Sequence, residues 1–116
     1  MGIEEPVIKI RDVFVVRGQK VTPAAGAAAF YDVSPAVLMR AVARHRKKFA
    51  KEMMFYLKPG EIVGLPAGGG EFDKRLPVFT EVGVTMLSTV LRSPKAVLTH
   101  IEIIRQTIRL LKFANR

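Results

Sequence analysis

The chain has no cysteine, which removes disulfides, thiol nucleophiles and thiolate metal sites at once. Histidine is nearly as scarce: His45 and His100 lie far apart in sequence and leave little for acid–base or metal chemistry. Acids are few, 10 against 19 lysines and arginines, so the net charge is +9. No apolar run approaches the ~20 residues of a membrane span. The N-terminus MGIEEPVIKIRD carries acids where a secretory signal carries bases, and no apolar stretch follows. A cytoplasmic location without membrane contact is the expectation. What remains is 116 residues at 49% apolar content, enough for one domain with a core of its own.

The positive charge is concentrated. Between Arg17 and Lys51 eight cations stand against Asp32 alone, seven of the nine net charges. Six of them, Arg40, Arg44, Arg46, Lys47, Lys48 and Lys51, lie in SPAVLMRAVARHRKKFAK at Ser34–Lys51, which has no acid. Ser34-Pro35 is a helix start: the hydroxyl accepts an orphan N–H, and proline lacks only a donor the first turn does not use. Leu38, Val42, His45 and Phe49 recur on one helical face, and Arg40, Arg44, Lys47 and Lys51 on another. The spacing predicts one helix with a buried side and a row of cations about 6 Å apart, near the phosphate repeat of a DNA strand. A solvated basic face would look the same. A membrane-surface helix would carry bulkier residues opposite its charges.

Elsewhere the pattern alternates short strands with capped helices. Val13–Val16 and the residues around Val21, joined by Arg17-Gly18-Gln19-Lys20, read as a hairpin in which Gly18 takes a positive φ. Thr22-Pro23 reads as the cap of a short helix to about Tyr31, so that two helices follow closely, the second basic. Met53–Leu57 and Leu76–Phe79 read as two strands of a wing. Between them, Glu61–Leu65 reads as a helical turn and Pro66–Asp73, with three glycines, as a loop. A phosphate-cradling role for those glycines is poorly supported, since no Lys-Ser/Thr and no helix follow. Thr80 caps a helix over Glu81–Leu91, in which Gly83 allows close backbone packing. Ser93-Pro94 opens a long helix over about 94–113. Its Val97, Ile101, Ile104, Ile108 and Leu111 form a heptad-like seam expected to serve the core. Ile103 and Leu110 point away from that seam and are the candidate partner-binding residues. Arg105, Arg109, Lys112 and Arg116 make a second basic row.

In order, VVRGQKV, FYDVS, LMRAVARHRKKFAKEMMFYL, RLPVFTEVGVTMLSTVLRSPKA and IEIIRQTIRL resemble a phage and prophage DNA-binding domain. It is the ORF-six N-terminal domain, related to the KilA-N and Bro-N domains. The resemblance runs from about Val13 to Leu110. Its most specific pieces are Arg17–Gln19, the Arg44…Phe49…Met54-Phe55…Leu57 pattern and FTEVGVTML at Phe79–Leu87. The chain departs from that pattern too. Gly26–Val33 replaces a stretch usually reading DLAELYGV, and Met39 and His45 stand where asparagines are expected. Ala50 replaces a proline, and the LP…FTE stretch is about one residue short. Asparagine pairs bidentately with adenine and methionine does not, so base readout is what these changes weaken.

The resulting expectation is an α+β fold. It has a helix-turn-helix-like core, short hairpin or wing strands and a long C-terminal helix, with residues 1–12 as an extension and 13–116 as one domain. The resemblance implies binding to double-stranded DNA, often in regulators or antirepressors, and the residues themselves point to a non-enzymatic protein without a cofactor. Arg40, Arg44, Arg46, Lys47, Lys48 and Lys51 would contact phosphates, with Arg17 and Gln19 as a second contact unless Arg17 braces its turn. His45 is expected in the core rather than reading bases. The alternative is a protein-interaction module whose terminal helix binds a second copy or a repressor protein. A metal-dependent nuclease built on Glu61, Glu71, Asp73 and Glu81 is the weakest reading, because a solvated loop explains those acids.

Overall fold

The computed structural model describes residues 8, 10, 13–58 and 76–114. In chain order these form β1 (Phe14–Val16), β2 (Gln19–Pro23), α1 (Ala24–Phe30), α2 (Pro35–Arg44), a 3-10 turn (Arg46–Lys48) and β3 (Met54–Leu57). There follow β4 (Leu76–Thr80), α3 (Glu81–Val90) and α4 (Pro94–Ala114). The fold is the expected mixture of helices and short strands. The helical turn expected at Glu61–Leu65 and the glycine loop at Pro66–Asp73 lie outside the described residues. Among those residues no helix is long and apolar enough to cross a membrane.

One antiparallel sheet runs in the order β1-β2-β4-β3. The β1–β2 hairpin pairs Val16 with Gln19 and so closes on two residues. Both are left-handed, Arg17 at φ 53° and Gly18 at φ 79°. Positive φ at both centres is what the favoured two-residue hairpin turn demands, because its twist matches that of the strands. Side chains alternate between the two sheet faces, and each face has a cluster. Val16, Val21, Leu57 and Val78, with Phe14, Phe55 and Leu76 beside them, fill one. Phe79 and Met54 point to the other, against α1, α2 and α3. Ile8 and Ile10, from the expected extension, pack against this second cluster as well.

Thr22 does not cap α1: Pro23 stands at the N-cap position, and its side chain has no oxygen to offer. Both residues belong to β2, paired with Phe79 and Val78 of β4, and α1 starts without a side-chain cap. Sheet pairing takes the backbone that the local signal assigns to a helix start. The other helix starts follow their local chemistry. Ser34 Oγ accepts the Val37 N–H at 3.1 Å, Thr80 Oγ1 that of Gly83 at 3.2 Å, and Ser93 Oγ that of Ala96 at 3.1 Å. Helix α1 ends on left-handed Asp32 (φ 58°). There the Val33 N–H bonds the Ala28 carbonyl at 3.0 Å and the Asp32 N–H bonds that of Ala29 at 3.2 Å. This is a Schellman ending, with Asp32 where glycine is the usual residue.

The helical core is built from small residues around a few large ones. Ala27, Ala28 and Ala96 have no exposed surface, which lets helix and sheet backbones approach closely around Tyr31, Leu38, Phe79 and Leu87. At Gly83 the approach is closest: a Cβ there would overlap the Met53 carbonyl. The same carbonyl accepts the Thr80 N–H at 3.0 Å, and Thr80 Oγ1 donates to the Glu52 carbonyl at 2.6 Å. The start of α3 is thereby clamped to the turn that leads into β3.

The expected seam of α4 is not in the core. Ala96 and Thr99 are buried and Ile103 and Gln106 half-buried, whereas Val97, Ile101, Ile104, Ile108 and Leu111 are all exposed. Helix α4 packs on α3 through its other face. Ile103, expected to point outward, lines a groove of about 900 Å³ with Ile8, Ile10, Val84 and Thr85. Leu110, one heptad further on, is 70% exposed.

Candidate nucleic-acid interface

Helix α2 is two-sided. Leu38, Ala41 and Val42 are buried in the helical core, and Ala36, Val37, Arg40, Ala43 and Arg44 face outward. Arg40 and Arg44 are successive turns of one face, flanked by small or β-branched side chains that do not screen them. The buried side fixes the orientation of the charged side.

The basic segment is not one helix through Lys51. Helix α2 stops at Arg44, and His45 leaves helical geometry with φ −117° and ψ 40°. Its N–H is shared between the Ala41 and Val42 carbonyls at 3.0 and 3.1 Å, and its ring Nδ1 lies 3.0 Å from the Ala41 carbonyl oxygen. His45 is thus a half-buried helix end. The chain continues as the 3-10 turn Arg46–Lys48 and a further turn at Lys51–Met53. The cause is tertiary. Phe49 is buried edge-on against Phe79, with centroids 6.1 Å apart, and the backbone then turns back to pair β3 with β4. Arg40, Arg44, Lys47 and Lys51 therefore occupy a helix and two turns in succession, not one ridge.

All six cations from Arg40 to Lys51 are exposed. Among the described residues none of the six is held in an ion pair, whereas Arg105 of α4 does meet Glu102 at 3.6 Å. Unneutralised charge on an anchored helix and its tight turns forms a field that attracts polyanions. Among the described residues no three His, Asp or Glu side chains gather to hold a metal ion, and Glu61, Glu71 and Asp73 lie outside them.

The hairpin residues sit elsewhere. The Arg17 guanidinium lies over the Phe55 ring, 4.8 Å from its centroid. Phe55 belongs to the sheet face opposite the one that α2 covers. Arg17 thus braces its turn against β3, across the sheet from the α2 cations, with Gln19 exposed at the start of β2. Met39 is half-buried against the helical core. Both positions where the sequence departs from asparagine, Met39 and His45, are committed to the fold.

Two features escape reading by charge alone. Val37 is 41% exposed on the outward face of α2 beside Ala36, an apolar surface amid the cations. Tyr31 is fully buried, and its hydroxyl donates to the Val84 carbonyl at 2.7 Å. Its own carbonyl accepts from Ser93 Oγ at 2.6 Å. Burial pushes its phenol well above the usual tyrosine range, with a smaller opposing effect from a hydrogen bond with Ser88. An isolated tyrosine after an alanine-rich helix is the only sequence signal of this latch between the α1–α2 pair and the α3–α4 pair.

The architecture is that of a small α+β domain with a basic helical face. The family model of the ORF6N domain matches residues 11–90, more than half of the chain, from the hairpin through α3. The chain belongs to the ORF6N domain family and is a phage-type protein. No curated protein and no solved structure matches it. Helix α4 lies beyond the matched residues.

Proposed function

We propose that this chain is a non-enzymatic protein that binds double-stranded DNA through the surface made by α2, the 3-10 turn and the following turn. The observation that carries the reading is the run of six exposed cations from Arg40 to Lys51 on elements anchored by Leu38, Val42 and Phe49. Family membership supports it. The α1–turn–α2 pair serves as a helix-turn-helix in which α2 lies along the duplex. Phosphate contacts from the six cations supply affinity and position, and they do not distinguish sequences. Val37 and Ala36 are the outward groups suited to the thymine methyl, an apolar contact in the major groove.

Binding to a random duplex over a salt series tests this. Six phosphate contacts give a log K against log salt slope of about −5. Binding that ignores salt, or no binding at low salt, overturns the proposal. Incubation with Mg²⁺ should leave the duplex uncut, and cleavage would overturn the non-enzymatic part.

A further inference from the structure

The fold leaves the heptad seam of α4 unused. Val97, Ile101, Ile104, Ile108 and Leu111 recur at intervals of four, three, four and three, and each is between 40% and 58% exposed. In heptad terms Ile101 and Ile108 occupy a, and Val97, Ile104 and Leu111 occupy d. The other side of the same helix, at Ala96 and Thr99, is what holds it to the domain. Single exposed apolar residues are ordinary; a regular stripe of five with a still more exposed Leu98 alongside is an interaction surface.

We propose that two copies of this chain pair through α4 as a parallel, in-register two-stranded coiled coil. Knobs spaced every 3.5 residues fit holes of the same spacing, and a second α4 offers them. Isoleucine at both a positions and leucine at the last d suit two parallel strands, whereas β-branched Val97 and Ile104 at the other two d positions pull towards higher oligomers, so the dimer mass is what the test must show. The flanking charges then select the orientation. Position e holds Leu98, Arg105 and Lys112, and position g holds His100 and Thr107. In a parallel pair e of one copy faces g of the other, so Arg105 meets His100 and Lys112 meets Thr107, and neither contact sets lysine or arginine against another. An antiparallel pair would set e against e and bring Arg105 and Lys112 of the two copies together, which repel. Glu102, 3.6 Å from Arg105 on the same helix, offsets part of the remaining charge. The pairing does not depend on DNA binding. Where DNA is bound, it joins two cationic surfaces in one particle and raises affinity through effective concentration.

Sedimentation equilibrium at tens of micromolar should give a dimer mass for the chain. Ile104→Lys should give a monomer with an unchanged circular dichroism spectrum at low concentration. Because the chain has no cysteine, introduced thiols report contacts cleanly. Under mild oxidation Leu111→Cys should cross-link on the order of tenfold faster than Leu110→Cys, because seam pairing raises effective concentration. Chance collision would favour Leu110→Cys, since Leu110 is 70% exposed and Leu111 58%. A monomer mass for the unaltered chain overturns the proposal, as does a dimer that Ile104→Lys leaves intact. A dimer in which Leu111→Cys fails to cross-link is not parallel and overturns it too. So does a monomer that takes up an acid-flanked heptad peptide, which would assign the seam to a different partner.

Discussion

The Tyr31 hydroxyl donates to the Val84 carbonyl at 2.7 Å, across 53 positions of sequence. With the Ser93 hydroxyl on the Tyr31 carbonyl, this bond ties the end of α1 to α3 and to the start of α4. The presentation of α2 depends on it, because α2 begins four residues after Tyr31 and packs on the same core.

Replacing that group tests the latch. Tyr31→Phe keeps the ring and removes the buried hydrogen bond to Val84 together with that to Ser88, and should cost about 1–2 kcal/mol in denaturant unfolding. In the folded protein the phenol is held neutral, while the unfolded chain ionises it near pH ~10. Above that pH the unfolded state binds fewer protons, so this contribution is fully present below it and is lost progressively as pH rises beyond it toward the folded phenol's higher range. With Tyr56→Phe leaving Tyr31 as the only tyrosine, tyrosinate absorbance should grow together with alkaline unfolding rather than before it.

The DNA reading predicts a specific change in salt dependence. Replacing Arg40, Arg44 and Lys47 together with alanine should reduce the log K against log salt slope by about 2.7, with the far-UV spectrum unchanged. An unaltered slope in the folded variant would move the DNA site elsewhere. Arg17→Ala, across the sheet, should leave the slope where it was and lower stability through the lost Phe55 contact, by about 0.5–1 kcal/mol.

The two phenylalanines around the basic segment should separate in cost. Phe49 is 8% exposed and stacks edge-on against Phe79, so Phe49→Ala should cost roughly 3–5 kcal/mol. Phe55 is only half-buried beneath Arg17, and its truncation should cost about half as much. Chemical denaturation of both variants checks the order.

Gly83→Ala should be costly although alanine favours helix. The new methyl would have to displace the Met53 backbone, which pairs with Thr80, and overpacking of that kind costs about 1–3 kcal/mol. A loss in melting temperature with unchanged helix content is the expected result. A variant as stable as its parent would mean that α3 and the β3 turn stand further apart.

The local chemistry of the chain was legible without the structure. Ser34, Thr80 and Ser93 cap helices because a hydroxyl beside the first turn satisfies a donor wherever the helix later packs. Gly18 takes positive φ because the two-residue turn requires it, and Gly83 marks a backbone approach that no side chain would permit. The six exposed cations from Arg40 to Lys51 follow from composition, since unpaired charge stays in water. Tertiary structure decided what local rules leave open. Thr22-Pro23 carries a helix-start signal, but pairing with β4 drew it into a strand. The basic helix ends at His45 with no glycine or proline to stop it, because burying Phe49 against Phe79 and starting β3 outweigh another turn of helix. Periodicity groups Val97, Ile101, Ile104, Ile108 and Leu111 on one face of α4 and Ala96, Thr99, Ile103 and Gln106 on another. It says which residues point together, not which way. The inward face became the one whose small residues, Ala96 and Thr99, let α4 lie close on α3, and the larger apolar row was left outside.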